Sequence, residues 1–532
     1  MKKKVKTGLG IVVVLVAAFL YYYIALPAIN IHAFGFWIFI FVVIAAIFAA
    51  IYGGLYKKKR SVPTKKVKLA GTIVLGAILA FFLIGSLLSS PIVNAKKYQQ
   101  LMAVEDRSFT EDIQEISFNE IPLLDKDSAA VLGQRKMGSL VDMVSQFEVS
   151  DLYTQINYQE SPYRVTPLRY ANTIKWLTNS GDGIPAYIRI NMATQDVECV
   201  ILEQGMKYTP FDHFNRNLKR HLRFNFPTYI FDEPSFEIDD AGTPYWICPV
   251  KQYNIGLFGG VTIGRVVLVN AITGELQDYA VEEAPTWIDR VYSADLLIGL
   301  YDYYGTLKHG FFNSVLGQKD CLQTTEGYNY IALDDDVWVY TGVTSVSGDQ
   351  SIVGFVLMNQ RTMETRYYVI PGAKEYSAMD SAQGQVQHLG YEATFPLLLN
   401  IADEPTYFMA LKDNAGLVKM YAMVNIEKYT IVAVGNSVQE CEKTYIELMN
   451  SNGIQAEPSE GTGKTITGSI EKIAEAVIDG NSHYYLILSR SNEIFDVPVK
   501  DFVQIIRYSV GDTIELDYYP GEVYNLVTDI HD

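Results

Sequence analysis

No Asp or Glu occurs before Glu105, and inside that stretch three long apolar runs are separated only by Lys and Arg clusters. The runs are Leu9 to Leu26, Phe34 to Tyr56 and Leu69 to Leu88. Each comes near the roughly 20 apolar residues that span a hydrocarbon core about 30 Å thick. They are expected to be three transmembrane helices, forming an anchor over residues 1–95. The rest of the chain is a large body of different composition.

Lys and Arg resist translocation, so their distribution sets topology. Lys2, Lys3, Lys4 and Lys6 precede the first run, and Lys57, Lys58, Lys59, Arg60, Lys65, Lys66 and Lys68 fill the second connection. Pro27 to Ala33, between runs one and two, carries only His32. The pattern predicts an N-terminus inside the cytoplasmic membrane and a body outside it. A cleaved signal peptide is the competing reading of the first run. Cleavage would leave the second run entering and the third leaving, so the body stays outside either way.

The net charge of −17 divides into +13 before Glu105 and −30 after it. An acidic body without basic patches argues against nucleic acid as a partner. Its charge serves solubility, and can draw basic partners or divalent cations. Cys199, Cys248, Cys321 and Cys441 are far apart, with no close pair of the kind that marks zinc or redox motifs. They read as buried small hydrophobes.

Residues 96–180 form an expected juxtamembrane segment, mostly helical. Asp127 to Phe147 has helical periodicity, Leu152 to Tyr158 alternates as a strand, and Pro167 opens a second helix with Thr166 as its cap. From 181 to 455 a unit recurs. Its tag is a turn between two alternating strands: Asn191, Thr194 and Asp196; Asn270, Thr273 and Glu275; Asn359, Thr362 and Glu364; and a degraded copy at Asn425. Asn bonds its own turn and tolerates left-handed backbone, and Thr and the acid cap turn amides, so hairpin chemistry accounts for the signature. Each later copy is led by helix-like sequence and an earlier hairpin. The implied unit is one helix across a small antiparallel sheet, an α+β arrangement.

The helix-then-hairpins order, with Val269-Asn270-Ala271-Ile272-Thr273-Gly274-Glu275-Leu276, resembles the PepSY domain family of bacterial envelope proteins and protease propeptides. The first and third copies carry Gln195 and Met363 where the second has Gly274. The resemblance implies a binding or inhibitory module that acts on envelope enzymes. Residues 456–468 read as a polar linker. Residues 469–532 read as a small β-barrel domain, OB- or SH3-like, with strands at Ile470 to Val477, Tyr484 to Leu488, Ile494 to Val497, Phe502 to Ile506 and Thr513 to Tyr519.

Candidate chemistry is sparse. Asp334, Asp335 and Asp336 can offer oxygens to calcium, yet one three-acid turn lacks the remaining ligands, and a solvated hairpin tip is the simpler reading. Gly461-Thr462-Gly463-Lys464-Thr465 lacks the first Gly and the following helix of a phosphate loop. Ser469 and Lys472 have Ser-x-x-Lys spacing on an expected strand, where a helix is needed. His213, His221, His309, His388 and His483 are scattered. Tyr301, Tyr303, Tyr304, Tyr328 and Tyr330 can line a groove or fill a core. No catalytic residue and no cofactor is assigned. The leading expectation is a membrane-anchored, non-catalytic binding or scaffold protein whose ectodomain engages envelope proteins or wall polymers. An envelope hydrolase or peptidase, and a sensor or transporter accessory subunit, are the alternatives.

Overall fold

A computed structural model describes residues 2–56, 61–114, 121–122, 124–333, 335–346, 351–456, 464–478, 481–499, 502–519 and 524–531. Its N-terminal helices are α1 (Lys2–Ala25), α2 (Phe34–Tyr56) and α3 (Ser61–Leu88), followed by the short α4 (Pro91–Gln99). Among the described residues, Phe34–Ile51 and Lys66–Leu88 are long and apolar enough to cross a membrane, while the apolar part of α1 is the shorter Val12–Ala25. The body is a mixed α+β structure of several sheets.

It opens with β1 (Glu105–Arg107), α5 (Phe109–Asp112), α6 (Lys126–Gly138), α7 (Val141–Val144) and β2 (Phe147–Val149). A first unit holds β3 (Thr154–Tyr158), β4 (Ser161–Tyr170), α8 (Thr173–Asn179), β5 (Ile184–Asn191) and β6 (Val197–Met206). The second is α9 (Leu218–Asn225) with β7 (Ser235–Ile238), β8 (Pro244–Ile255), β9 (Gly259–Asn270) and β10 (Leu276–Ala280). The third is α10 (Ala294–Thr306), β11 (Leu322–Thr324), β12 (Asn329–Leu333), β13 (Asp336–Ser345), β14 (Ser351–Ile352), β15 (Gly354–Asn359) and β16 (Thr365–Tyr368). The fourth comes after β17 (Gly372–Ala373): α11 (Glu375–Gln385), β18 (Glu392–Ala393), β19 (Leu397–Ile401), β20 (Glu404–Lys412), β21 (Val418–Asn425) and β22 (Val432–Gly435), closed by α12 (Val438–Ser451).

Each unit is an antiparallel run of two hairpins, and the second hairpins share one turn. In the first three, the Asn side chain accepts from two turn amides: Ala193 and Thr194 on Asn191, Ile272 and Thr273 on Asn270, Arg361 and Thr362 on Asn359. The Thr hydroxyl oxygen then accepts from the amide of the acid two residues on. Between them Gln195, Gly274 and Met363 all adopt φ near +70° (65°, 77° and 66°). Asn425 keeps one of these bonds, from the Lys428 amide. The first hairpins of units one and four are also alike: Gln159 and Glu160 turn β3 into β4, and Ala402 and Asp403 turn β19 into β20, all four at positive φ. Two such residues give the turn whose twist matches paired strands.

Aromatic and branched side chains join the units. α10 lies between the second and third sheets, where Leu297 and Tyr301 pack with Val266, Leu268, Val339 and Met358. Trp338, Phe355, Tyr407 and Tyr445 belong to a core shared by units three and four. Tyr187, Phe236 and Trp246 belong to one shared by units one and two.

Several boundaries differ from the sequence reading. Thr166 and Pro167 do not start a helix but lie inside β4, paired with Ile188 and Tyr187. β4 is central in its sheet and buried on both faces, so its continuous apolar run imitates a helix start. Asn172 caps the short α8 instead, accepting from Lys175 N at 3.0 Å. Because β4 pairs with β5, the expected boundary at 180/181 falls inside the first sheet. Residues 96–180 also give β1 to the third sheet, parallel to β16.

After residue 463 come β23 (Lys464–Ile478), β24 (Asn481–Leu488), β25 (Ile494–Pro498), β26 (Thr513–Tyr519) and β27 (Asn525–His531). Their pairings run in a ring, β23 to β24, β25, β27, β26 and back to β23, with β25 and β27 parallel. Lys464 to Gly468 is therefore strand, while 457–463 of the expected linker lies outside the described residues. The strand expected at Phe502 to Ile506 is instead a 3-10 helix, Val503–Arg507, that buries Ile505, and β27 supplies the fifth strand of the ring.

The body rests on the N-terminal helices through unit two. Leu26 O accepts from Arg223 Nε at 3.0 Å, Ile29 N donates to Pro227 O at 2.8 Å, and Asn30 Nδ2 donates to Thr228 O at 2.9 Å. His32 donates through Nδ1 to Leu257 O at 2.7 Å and stacks on Tyr253. The β8–β9 turn caps the end of α3, with Phe258 against Phe82. Gly259 is required there, because a Cβ would lie 2.2 Å from the Ser89 carbonyl oxygen.

Candidate functional site

Strand pairing sets Gln155 of β3 opposite Arg164 of β4. Their neighbours Ile156 and Val165 fill the core on the other face. The Gln155 and Arg164 face is covered by unit three, and a cavity of about 360 Å³ remains between them. Arg290, Tyr328, Tyr330 and Phe395 form other parts of its wall.

Arg164 is 5% exposed. Its guanidinium makes two long hydrogen bonds, Nε to Leu124 O and Nη2 to Gln155 Oε1, both at 3.4 Å. Among the described residues no carboxylate lies within ion-pair distance of it. Asp125, on the same wall, is taken by Lys412 at 2.5 Å and caps α6 through Ser128 N. Burial lowers the Arg164 pKa, against the pull of Tyr330, Asp125 and Asp127, but a guanidinium keeps its charge. Gln155 Nε2 is buried without a hydrogen-bond partner. Tyr153 Oη also has none, and it faces Gly133 of α6, where a Cβ would approach within 2.2 Å. Tyr328 and Tyr330 meet edge to face, with centroids 5.6 Å apart.

Of the sequence-marked acids, the two described ones face different surroundings. Asp334 lies outside the described residues. Asp335 is exposed at φ +64° in the β12–β13 turn, accepting from Asn157 Nδ2 at 2.8 Å. Asp336 is no part of a solvated tip. It is buried, and Arg361 holds it by Nε to Oδ1 at 2.6 Å and Nη2 to Oδ2 at 2.7 Å, with Asn359 Nδ2 at 2.8 Å. As the first residue of β13 it points back into the junction of units one, two and three.

That junction holds two acids the sequence did not mark. Glu237 is fully buried, accepting from Ser235 Oγ, Asp289 N and Arg290 N. Asp289, 2% exposed, accepts from Asn157 N at 2.7 Å. Burial is the main force on both. It pushes Glu237 up to about 7 against its three hydrogen bonds, and raises Asp289 well above the carboxylate range, with Glu237 adding repulsion. Ser235 and Glu237 share a strand face, a pattern that normally reads as solvent-facing.

The other marked residues are dispersed. His221 donates to Gly274 O at 2.8 Å, His213 packs edge-on against Trp176, His309 pairs with Asp320 and His483 with Asp496. Tyr301 is core, and Tyr303 sits against Tyr98. Ser469 and Lys472 lie on β23 across a bulge, and Ser469 Oγ donates to Gly511 O. The four cysteines are free thiols. Asp517, Asp529 and His531 bring one ligand atom each within 4.8 Å of one another on the ring of strands, where His531 and Asp517 already pair at 2.7 Å.

No protein-family model matches this chain, and no curated protein matches it.

Proposed function

We propose that this chain is a membrane-anchored binding or scaffold protein of the cell envelope. Three helices cross the cytoplasmic membrane, the N-terminus is inside, and the acidic body outside engages envelope proteins or wall polymers. The four helix-and-hairpin units are PepSY-like repeats, and the resemblance adds modulation of a peptidase as the form that engagement takes. The C-terminal ring of strands is an OB-type barrel. Its order, with the fifth strand between the third and fourth, supports that choice over an SH3-like one.

One observation carries the anchored reading. Residues 26 to 30 and the end of α3 at Ser89 both touch unit two. Those two helix ends therefore share the body's side, which supports α1 crossing between its basic start and Leu26. The seven cations from Lys57 to Lys68 then fall on the far side with Lys2 to Lys6, and by the positive-inside bias that side is cytoplasmic.

The test is labelling of single cysteines with a membrane-impermeant maleimide in intact cells, in a cysteine-free background. Ser491→Cys in the body should label without lysis and Lys3→Cys only after it. The reverse pattern would overturn the topology. Affinity capture with the full chain from envelope extracts should return a specific protein or polymer, and repeated recovery of nothing counts against the binding role.

A further inference from the structure

We propose that the cavity between β3–β4 and β12 binds a small organic monocarboxylate, received by the guanidinium of Arg164. The inference goes beyond the envelope role and stands independently of it.

A buried charge is costly unless paired and hydrogen-bonded. Arg164 has five N–H donors, of which two make bonds, both at 3.4 Å. No described carboxylate pairs with it, and the nearest acid on the wall, Asp125, is already committed to Lys412. The second observation is Gln155 Nε2. This carboxamide is 6% exposed, is held by Arg164 through its oxygen, and leaves its nitrogen without a partner. A planar cation and an unused amide donor side by side are what a carboxylate needs, since the guanidinium fork matches its two oxygens.

The remaining wall limits the ligand. Tyr328, Tyr330 and Phe395 supply apolar surface for an organic body. About 360 Å³ falls within the range of small-molecule sites, and is far below what a folded partner segment requires. Arg290 adds a second cation, partly balanced by Glu237. Asp125 on the wall and Asp127 nearby oppose a second negative charge on the ligand. The balance favours a monoanion over phosphate.

The experiment uses the full chain in detergent, with calorimetry and thermal unfolding in the presence of benzoate, N-acetylglycine, benzamide and inorganic phosphate. At least one monocarboxylate should bind saturably and raise the Tm, while benzamide, nearly the same shape without charge, should not. Gln155→Glu is close to isosteric and places a carboxylate beside Arg164. It should abolish carboxylate binding while keeping a Tm at or above that of ligand-free wild type. Arg290→Met, which leaves Arg164 in place, should weaken binding roughly tenfold. No saturable response to either carboxylate, unchanged binding in Gln155→Glu, or a response to phosphate alone would each overturn the assignment.

Discussion

Ser89, the first residue after α3, accepts through Oγ from Leu257 N at 2.8 Å, and the same oxygen takes Phe258 N at 3.1 Å. Ser89 Oγ in turn donates to Gly85 O, and its carbonyl accepts from Tyr98 Oη at 2.6 Å. One residue thereby finishes the helix, fixes the bend into α4 and seats a hairpin of the body on the N-terminal helices.

Ser89→Ala should release that hairpin. Two part-buried amides lose their acceptor, a loss of about 1–2 kcal/mol. Hydrogen exchange should quicken by roughly tenfold or more at Leu257 and Phe258 and stay unchanged in unit four. Equal protection in the variant would show that the Phe258–Phe82 contact and the His32 bond to Leu257 O hold the hairpin without it.

Arg361 and Asp336 should behave as a buried pair. Arg361→Met strands a buried carboxylate whose remaining bond comes from Asn359. It should cost about 3 kcal/mol in urea unfolding. Adding Asp336→Asn should recover part of this loss, because it removes the orphan charge. A double variant no more stable than Arg361→Met would contradict the pairing.

The parts legible in sequence were those with local causes. The Asn-x-x-Thr turns are legible because each bonds within six residues, and the helices over Phe34–Ile51 and Lys66–Leu88 because a long unbroken apolar run carries its own signal. Arg164 and Glu237 were not. Both sit at positions that face away from their own sheet's core, and alternation reads such positions as exposed. They are buried because a neighbouring unit covers that face, a long-range event with no periodic trace. β4 misled for the same reason, since its two buried faces erase the period-2 signal. Asp336 follows two other acids and reads as a turn residue, whereas its pairing with Leu333 places it one residue past the turn, inside the strand.

The shared turn makes a graded prediction. Gly274 sits at φ +77°, with an added Cβ only 2.4 Å from the Tyr208 ring. Gly274→Ala should therefore cost about 2 kcal/mol. Met363 holds the same backbone region at a strain that Gly does not suffer. Met363→Gly should stabilise by about 0.5 kcal/mol, read by denaturant midpoint at constant slope. Destabilisation by Met363→Gly would mean that its side-chain packing in the core outweighs the backbone strain.

The buried acids should set a pH response. Glu237 is raised to about 7 by burial, against an unfolded value of about 4.3. Between roughly pH 4.5 and 7 the folded chain keeps a proton that the unfolded chain has released, so stability must fall as pH rises through that window. Asp289, also raised, acts with the same sign. The groups facing this pair are Arg290, Asp335 and Asp336, and Arg361 closes the set. Asp125 acts oppositely: burial pushes it up, but the bonds from Lys412 and Ser128 bring it lower overall, so its contribution fades as the solution is acidified. The two are separated by comparing wild type with Glu237→Gln. The wild-type loss from about pH 5 to about pH 8 should exceed the variant's by roughly 3 kcal/mol. The difference in slope, not the absolute stability, is the readout, because Gln has one acceptor oxygen where Glu237 uses one for Asp289 N and the other for Arg290 N. Identical slopes would mean that Glu237 ionises at an ordinary pKa and that water reaches the junction.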